Sequence, residues 1–136
     1  MRIMIDSNVF ISAIVLSSPY LTRLIDIIAE NHTIVLSTYI VDELKRTTKL
    51  KFPKKYDILE AKLKEIPYVL LYTPETINPS NYPEIRDLKD LPILVSALNE
   101  DVDIILTNDN DFISVDIDYP EIIKPHDFIK KYYSDK

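Results

Sequence analysis

Short apolar runs alternate with longer segments of helical periodicity along most of the chain, and this alternation restricts the possible folds more than any other feature. The runs are predicted strands over residues 2–6, 33–37, 68–73, 103–107 and 121–125. They are apolar throughout instead of alternating with polar residues, which is typical of strands covered on both faces. Because strands that alternate with helices pair in parallel, the sequence predicts a three-layer α/β/α fold around a parallel sheet.

Helices are predicted between and after these strands. They cover residues 8–16, about 19–30, 38–47 and 53–65, resume near Asp87 or Asp90 after a polar, proline-containing loop, and end with a helix from about residue 126. Ser37 or Thr38 is expected to cap the helix over 38–47, because a hydroxyl can accept a hydrogen bond from a free backbone N–H in the first turn. Since no internal repeat or interdomain linker interrupts the pattern, we expect one domain over residues 1–136.

The composition excludes several classes of protein. Hydrophobic residues make up 46% of the chain, which is too many for a disordered protein. The chain has no cysteine, which excludes disulfides and thiolate metal sites, and no glycine, which excludes phosphate-binding loops of the G-x-G-x-x-G and G-x-x-x-x-G-K kinds. There is no run of about 18 apolar residues and no signal-peptide pattern at the N-terminus. We therefore expect a cytoplasmic protein that does not span a membrane.

Acidic residues follow the first four predicted strands, at or near their carboxyl ends. In chain order they are Asp6, Glu43, Asp87, Asp90, Asp109 and Asp111. The carboxyl ends of parallel strands form the edge of a sheet at which such folds bind ligands. Two carboxylates about 5 Å apart repel by about 3 kcal/mol at an effective dielectric constant of about 20, and a bound cation relieves this repulsion. An all-oxygen site favours Mg²⁺ or Mn²⁺, and such ions support phosphodiester hydrolysis.

Four segments resemble, in order, the motifs of PIN domains, and the chain is similar to the VapC-type toxins of toxin–antitoxin pairs. The segments are MIDSNVF, STYIVDEL, RDLKDLPILVSAL and DIILTNDNDF. The resemblance implies a Rossmann-like sheet of order 3-2-1-4-5 and an endoribonuclease that acts on RNA and depends on Mg²⁺ or Mn²⁺. The metal-binding and catalytic residues that it implies are Asp6, Glu43, Asp90 and Asp109.

The resemblance also implies two supporting residues and shows one departure. Ser7 would orient the site by hydrogen bonding, and Asn8 would brace the loop after the first strand. The fourth motif more often has glycine where this chain has Asn108, and asparagine tolerates a left-handed backbone better than most residues. If the protein is a toxin, a small antitoxin is expected to cover the metal site, with an arginine among the carboxylates.

The first two acids have competing structural interpretations. Asp6 and Ser7 both stand where a helix cap is needed, so either one could serve only as a cap. Asp42 competes with Glu43 for the second ligand position. The two neighbours point about 100° apart on a helix, so only one of them can face the site fully.

Asp87, Asp111 and Thr107 also have alternative structural interpretations. Asp87 could cap its helix with Asp90 in the first turn, and it remains a candidate for an outer or second metal position. Asp111 is a candidate for the same outer or second-metal role beside Asp109. Thr107 either donates a hydrogen bond to a ligand carboxylate or simply ends its strand.

A basic run after Glu43 contrasts with the net charge of −6. The run consists of Lys45, Arg46, Lys49, Lys51, Lys54 and Lys55. It is either a rim that contacts RNA phosphates or a solvated surface. The net charge predicts RNA binding that is weak and sensitive to salt. Part of the apolar stretch from Val9 to Leu16 exceeds the needs of one small helix, so a homodimer face is expected there.

Two other classes of function compete with a nuclease. One is a catalytically inactive PIN-like scaffold or RNA-binding module in an RNA-processing complex, which would take up no metal. The other is a phosphate-transfer domain such as a receiver or an aspartyl phosphatase. Lys124 could supply the lysine of a receiver, but the acid pair that receivers need is missing, and so is the second acid that phosphatases need two residues after Asp6.

Overall fold

The computed structural model describes residues 1–133 and places five strands in one parallel sheet. The strands are β1 (Arg2–Ile5), β2 (Thr33–Ser37), β3 (Tyr68–Leu71), β4 (Ile104–Leu106) and β5 (Glu121–Ile123). Their order across the sheet is β3-β2-β1-β4-β5, and each neighbouring pair is parallel. The five predicted strands and the order implied by the resemblance are therefore confirmed.

Helices follow each strand and cover the sheet. They are α1 (Ser7–Phe10), α2 (Pro19–Asn31), α3 (Thr38–Lys51), α4 (Tyr56–Glu65), α5 (Leu91–Asn99), α6 (Asn110–Ile113) and α7 (Pro125–Tyr132). A π-helical segment, Ile11–Val15, continues α1, and 3-10 turns occupy Pro53–Lys55, Pro79–Asn81 and Leu88–Asp90. The predicted helices are present, whereas α6 was missed because so short a helix leaves no periodic pattern. Residues 134–136 of the predicted terminal helix lie outside the described residues.

Side-chain caps fix the starts of the two helices that flank β2. The hydroxyl of Ser18 accepts a hydrogen bond from the N–H of Leu21 at 3.3 Å, and Pro19 opens α2. The hydroxyl of Ser37 accepts one from the N–H of Ile40 at 3.2 Å, so Ser37 is the predicted cap of α3. Because Ser37 also ends β2, the chain turns into α3 directly at the carboxyl edge of the sheet.

The hydrophobic core lies on both faces of the central strands. Ile3, Met4 and Ile5 of β1 are completely buried. Phe10, Phe112 and Phe128 are the largest fully buried side chains, and they reach the core from α1, α6 and α7. The burial of both faces explains why these strands are continuously apolar.

Most of the apolar stretch from Val9 to Leu16 packs into the core of its own chain. Val9 and Phe10 are completely buried, and Ala13 and Val15 are nearly so, whereas Leu16 is 58% exposed. The stretch is long because the π-helical segment continues α1 into the core of the same chain. Homodimer formation remains a prediction, and within this stretch Leu16 is the large apolar side chain that is exposed.

In two turns of this glycine-free chain, other residues adopt the left-handed backbone conformation. Among the described residues, positive φ angles occur at Ser17 (57°) and Asp101 (55°), where a left-handed backbone usually favours glycine. Asn108 does not adopt a positive φ. The turn after β4 therefore needs no left-handed residue, and asparagine fits there without strain.

Within residues 1–133, no single helix has the length and apolar character needed to cross a bilayer. By length and composition alone, the helical segment from Ser7 to Val15 together with α2 could do so, although the two are bent by 119° at the break between them.

Candidate metal centre

Four elements bring acidic side chains to the carboxyl edge of the sheet. Asp6 directly follows β1, and Asp109 follows β4, the strand paired with β1. Glu43 lies on α3, which begins where β2 ends. Asp90 ends the 3-10 turn that leads into α5. The parallel order of the strands thus brings acids that are far apart in the sequence to one edge of the sheet. Asp90 and Asp109 share a close carboxylate cluster with Asp87 there, whereas Asp6 and Glu43 are not part of that cluster.

Asp6 is held rigidly by hydrogen bonds to both of its carboxylate oxygens. Its Oδ1 accepts one from the N–H of Ser7 at 2.7 Å, so Asp6 does cap α1. Its Oδ2 accepts one from the hydroxyl of Thr107 at 2.8 Å and one from Nδ2 of Asn8 at 3.2 Å. The cap and the oriented carboxylate coexist, and Thr107 does bond a candidate ligand. Asp6 is only 3% exposed, so its orientation is set by these groups and not by water.

Ser7 and Asn8 connect the turn after β1 to the neighbouring elements. The hydroxyl of Ser7 donates a hydrogen bond to Oε1 of Glu43 on α3. Nδ2 of Asn8 lies 3.4 Å from Oγ1 of Thr107, and its Oδ1 accepts from the N–H of Asn108 at 3.4 Å. Asn8 therefore ties the loop after β1 to the loop after β4, and Ser7 orients the second acid.

The structure distinguishes Glu43 from Asp42, its competitor on α3. Glu43 is half-buried and accepts the bond from Ser7, whereas Asp42 is exposed to solvent. Since Glu43 also raises the pKa of Asp6 by its negative charge, it is the residue of the two that faces the other acids.

Asp87, Asp90 and Asp109 form a tight cluster of carboxylates. Each offers an oxygen within 4.8 Å of the other two. Oδ1 of Asp87 caps the turn before α5 by accepting from the N–H of Lys89 at 3.0 Å. Oδ1 of Asp109 caps α6 by accepting from the N–H of Asp111 at 2.9 Å. These caps fix both carboxylates through Oδ1 and leave Oδ2 of each for another partner.

Asp90 provides the test of whether this cluster suits a cation. The residue is only 8% exposed, and its Oδ2 is buried without a hydrogen-bond partner among the described residues. Leaving a buried carboxylate oxygen unsatisfied is costly, whereas a cation bound to it removes the cost. Since the surrounding donors are all carboxylate oxygens, the residues fit Mg²⁺ or Mn²⁺.

The electrostatics of the centre point the same way. Burial, together with the negative charges of Asp109 and Asp6, raises the pKa of Asp90 to about 8. Burial also raises the pKa of Asp6 to about 6, helped by the charges of Glu43 and Asp109 and opposed by the hydrogen bonds from Thr107 and Ser7. Both shifts mean that the charged forms are disfavoured until a positive partner arrives.

The basic run is spread along α3 and the turn that follows it. Arg46 lies one helical turn beyond Glu43, whereas Lys51 lies about 12 Å along the helix axis from Glu43 at about 1.5 Å per residue. Nζ of Lys49 sits 4.7 Å from the ring centre of Tyr56. Lys54 and Lys55 are exposed in the turn before α4. The run is thus a surface that extends away from the acids, with Arg46 at its near end.

Two residues beside the acids, Arg86 and Tyr39, were not predicted as part of the site. Arg86 Nη1 lies 3.5 Å from Oδ1 of Asp111. Burial raises the pKa of Tyr39, and the charge of Glu43 raises it further while that of Arg46 opposes the shift, so Tyr39 lies among the charges of the centre. A signal for Arg86 was present, since it is the only basic residue between Lys64 and Lys89 and directly precedes Asp87. No sequence signal marked Tyr39.

The sequence model of the PIN domain family matches residues 2–111. The matched range contains all six acids of the carboxyl edge and ends before β5 and α7. No curated protein sequence matches the chain significantly.

Solved structures with the same fold include three complexes. VapBC2 from Rickettsia felis, bound to a DNA fragment from their promoter, aligns with a TM-score of 0.67 and 18% identity over 91% of this chain and 98% of that one. FitAB bound to an IR36 DNA fragment aligns with a TM-score of 0.63 and 17% identity over 90% and 94%. FitAcB from Neisseria gonorrhoeae aligns with a TM-score of 0.62 and 21% identity over 91% of this chain and 98% of that one.

At these identities the solved structures establish the fold alone, whereas the family match covers most of the sequence and all the acids at the edge of the sheet. PIN domains are generally nucleases, which agrees with a cluster of carboxylates suited to a divalent cation. This chain belongs to the PIN domain family.

Proposed function

We propose that this protein is an endoribonuclease that uses Mg²⁺ or Mn²⁺ to hydrolyse RNA phosphodiester bonds. The observation that carries the proposal is the buried Oδ2 of Asp90, which has no hydrogen-bond partner within residues 1–133 and belongs to a three-carboxylate cluster. A divalent ion bound there would activate water and stabilise charge on the phosphate. The chain has no cysteine, and the described hydrogen bonds include no serine–histidine pair. We therefore propose direct attack by water and no covalent intermediate with the protein.

The chain's own residues would hold the metal and the attacking water in place. Asp6, Glu43, Asp90 and Asp109 are the proposed metal ligands and catalytic residues. Thr107 and Ser7 hold the Asp6 carboxylate, and Ser7 also fixes Glu43, so the ligand positions are set before metal arrives. Such preorganisation lowers the reorganisation needed during the reaction.

Asp87 and Asp111 are proposed to support the centre in different ways. The Asp87 carboxylate lies within the three-acid cluster, so we assign it to an outer or second metal position. Asp111 supplies the N–H that holds Asp109, while its carboxylate is paired with Arg86. A pairing with arginine makes Asp111 the weaker candidate for a metal ligand.

The direct test of the function is cleavage of a labelled single-stranded RNA by the purified protein with Mg²⁺, with Mn²⁺ and with excess EDTA. We expect cleavage with either ion and none with EDTA. Cleavage that continues in EDTA would refute metal dependence. Heat released on titration with Mn²⁺ distinguishes the alternatives, because an inactive scaffold that has lost the site takes up no metal.

Glu43→Gln is expected to lower cleavage by about 10²-fold at limiting metal, because it removes one ligand charge while the amide oxygen can still accept the bond from Ser7. The matched control is Asp42→Asn, which makes the same change at the exposed neighbouring position. The measurement is the rate of RNA cleavage as a function of Mn²⁺ concentration. Equal effects of the two variants would remove Glu43 from the site.

Lys51→Glu combined with Lys55→Glu is expected to weaken RNA binding by about tenfold and to flatten its dependence on salt, if the basic run contacts phosphates. Lys64→Glu combined with Lys130→Glu changes the net charge equally on exposed surfaces of α4 and α7. Fluorescence anisotropy at several salt concentrations measures both effects. Identical loss in the two double variants would show that only net charge matters and that the run is a solvated surface.

The resemblance to VapC-type toxins and the fold shared with VapBC2 and FitAB support a role as the toxin of a toxin–antitoxin pair, acting on RNA in the cytoplasm. We propose that a small antitoxin covers the acidic edge. Induced expression of the chain alone should arrest growth, whereas expression of a metal-site variant should not. Growth arrest by both proteins would contradict the toxin mechanism.

We also propose that the whole chain acts as one nuclease domain. The family match stops at residue 111, but β5 pairs with β4 in the same sheet. Phe128 of α7 is completely buried in the same hydrophobic core. Truncation before β5 is therefore expected to unfold the protein, which circular dichroism would detect.

A further inference from the structure

We propose that Arg86 binds the RNA phosphate next to the one that is cleaved, an inference that rests on the proposed function. Arg86 lies in the segment between β3 and α5, directly before Asp87 of the carboxylate cluster. It is 74% exposed on its side chain, whereas Asp90 of the cluster is buried. Its guanidinium group therefore stands at the outer side of the acidic centre, where a nucleic acid strand would pass.

A short chain of contacts ties the guanidinium group to the centre. Nη1 of Arg86 lies 3.5 Å from Oδ1 of Asp111. The backbone N–H of Asp111 donates in turn to Oδ1 of Asp109 at 2.9 Å. Arg86 is thus paired with a residue whose backbone N–H holds the carboxylate of Asp109, a proposed metal ligand, at the start of α6.

The ion pair between Arg86 and Asp111 is one that a phosphate can replace. The two side chains are 74% and 50% exposed, and pairs this accessible to water are weak. A phosphodiester offers two oxygens that match the planar guanidinium in a bidentate, charge-assisted contact. The arginine can therefore turn from Asp111 to RNA at little cost.

The negative charge of the acidic edge explains why a basic residue is useful there. The acids that bind a cation also repel the phosphates on either side of the cleaved bond. Of the three ion pairs described within residues 1–133, the Arg86–Asp111 pair alone lies at the acidic edge, since the others are Lys62–Glu65 on α4 and Lys131–Glu121 at β5 and α7. Arg86 offsets the repulsion for a flanking phosphate, so its contribution should appear in substrate affinity more than in turnover.

The test compares Arg86→Gln and Arg86→Lys with Arg23→Gln, which removes the same charge from an exposed position on α2. The affinity for a short fluorescein-labelled single-stranded RNA is measured by anisotropy at several salt concentrations, in an Asp6→Asn background that prevents cleavage. KM and kcat are measured in the active background. Melting temperatures establish that each variant is folded. If Arg86→Gln does not fold, Arg86→Lys takes its place in the comparison.

We expect Arg86→Gln to raise Kd and KM by about tenfold, the effect of losing one charge-assisted hydrogen bond, with kcat unchanged within about twofold. The slope of log K against log salt should decrease by about 0.7, the value for one phosphate contact on a single strand. Arg86→Lys should retain the slope and recover part of the affinity, because it keeps the charge but not the bidentate geometry.

The inference is overturned if Arg86→Gln matches Arg23→Gln in affinity and salt slope, or if kcat falls while KM and Kd do not change. A merely structural role for the ion pair would lower the melting temperature without altering the salt slope. If the unmodified chain binds RNA but does not cleave it, the proposed nuclease function fails, while the binding measurements still decide the role of Arg86.

Discussion

Replacing Asp6 by asparagine is expected to lower RNA cleavage by about 10³-fold, because the stabilisation that a metal ion supplies in such reactions amounts to several kcal/mol and each 1.36 kcal/mol is a factor of ten in rate. Asp6 is the acid with the most fixed position in the centre, since both of its oxygens accept hydrogen bonds. Loss of its charge would remove a proposed ligand that these hydrogen bonds hold in one orientation.

The fold should survive this change. The asparagine oxygen can still accept the bond from the N–H of Ser7, and the hydroxyl of Thr107 can turn to accept from the new amide. Asp26→Asn, at an exposed position of α2, is the matched control and should cleave at the unmodified rate. Single-turnover cleavage at saturating Mn²⁺ measures the effect. A loss of less than tenfold in a folded Asp6→Asn protein would mean that Asp6 is only the cap of α1.

The melting temperature of the metal-free protein is expected to fall as pH rises from about 4 to about 8. In the folded protein the pKa values of Asp6 and Asp90 are raised to about 6 and about 8, from ordinary values of 3.8. The folded state therefore binds more protons than the unfolded state in this interval. The stability that these protonated acids contribute is complete below pH 3.8 and is lost as pH rises through the two raised pKa values.

A divalent cation should reverse this trend. Both carboxylates must lose their protons to bind metal, so Mn²⁺ should raise the melting temperature more at pH 8 than at pH 5. With the ion at about 100 times its Kd, the stabilisation is about 2.7 kcal/mol, or about 10 °C for a chain of this length. Differential scanning fluorimetry across pH, with Mn²⁺ or with EDTA, measures both the fall of the melting temperature with pH and its rise with Mn²⁺.

Asp90→Asn separates the electrostatic cause from other effects of pH. The amide cannot ionise, so the melting temperature of the metal-free variant should fall less between pH 5 and pH 8 than that of the unmodified protein, and its response to Mn²⁺ should be small. Asp26→Asn should keep both behaviours of the unmodified chain. A pH profile of Asp90→Asn identical to that of the unmodified protein would show that Asp90 does not carry the trend.

The fold was predictable to the level of strand number, strand order and helix placement because these depend on local patterns. Continuous apolar runs marked the strands, and Ser37 marked the start of α3. Elements defined by few residues, such as α6, were not predicted. The π-helical continuation of α1 was predicted as an ordinary helix. A pattern of hydrophobic residues does not distinguish a helix that serves its own core from one that faces a second subunit, so the sequence could not show that most of Val9–Leu16 is buried in its own chain.

The candidate site was partly predictable for a related reason. A parallel sheet brings the carboxyl ends of its strands together, so the positions of Asp6, Asp90 and Asp109 after β1, β3 and β4 predicted that they would collect at one edge. Asp90 and Asp109 lie in one close cluster there, and Asp6 lies outside it. The sequence could not choose between Asp42 and Glu43 from helical periodicity alone, and it could not show that a carboxylate oxygen of Asp87 lies within 4.8 Å of those of Asp90 and Asp109. These questions depend on which way a side chain points and on what lies across the site, and neither is encoded in local spacing.

Strand patterning and carboxylate chemistry act through neighbouring residues, so they were sufficient to predict the class of fold, the edge at which the acids collect and a cation as the ligand. Three features of the site followed from the folded chain: Thr107 and Ser7 hold Asp6, Oδ2 of Asp90 is buried without a partner among the described residues, and Arg86 lies beside Asp111. Hydrogen bonds and burial join residues that are many positions apart, so they are set by packing and not by the order of residues along the chain.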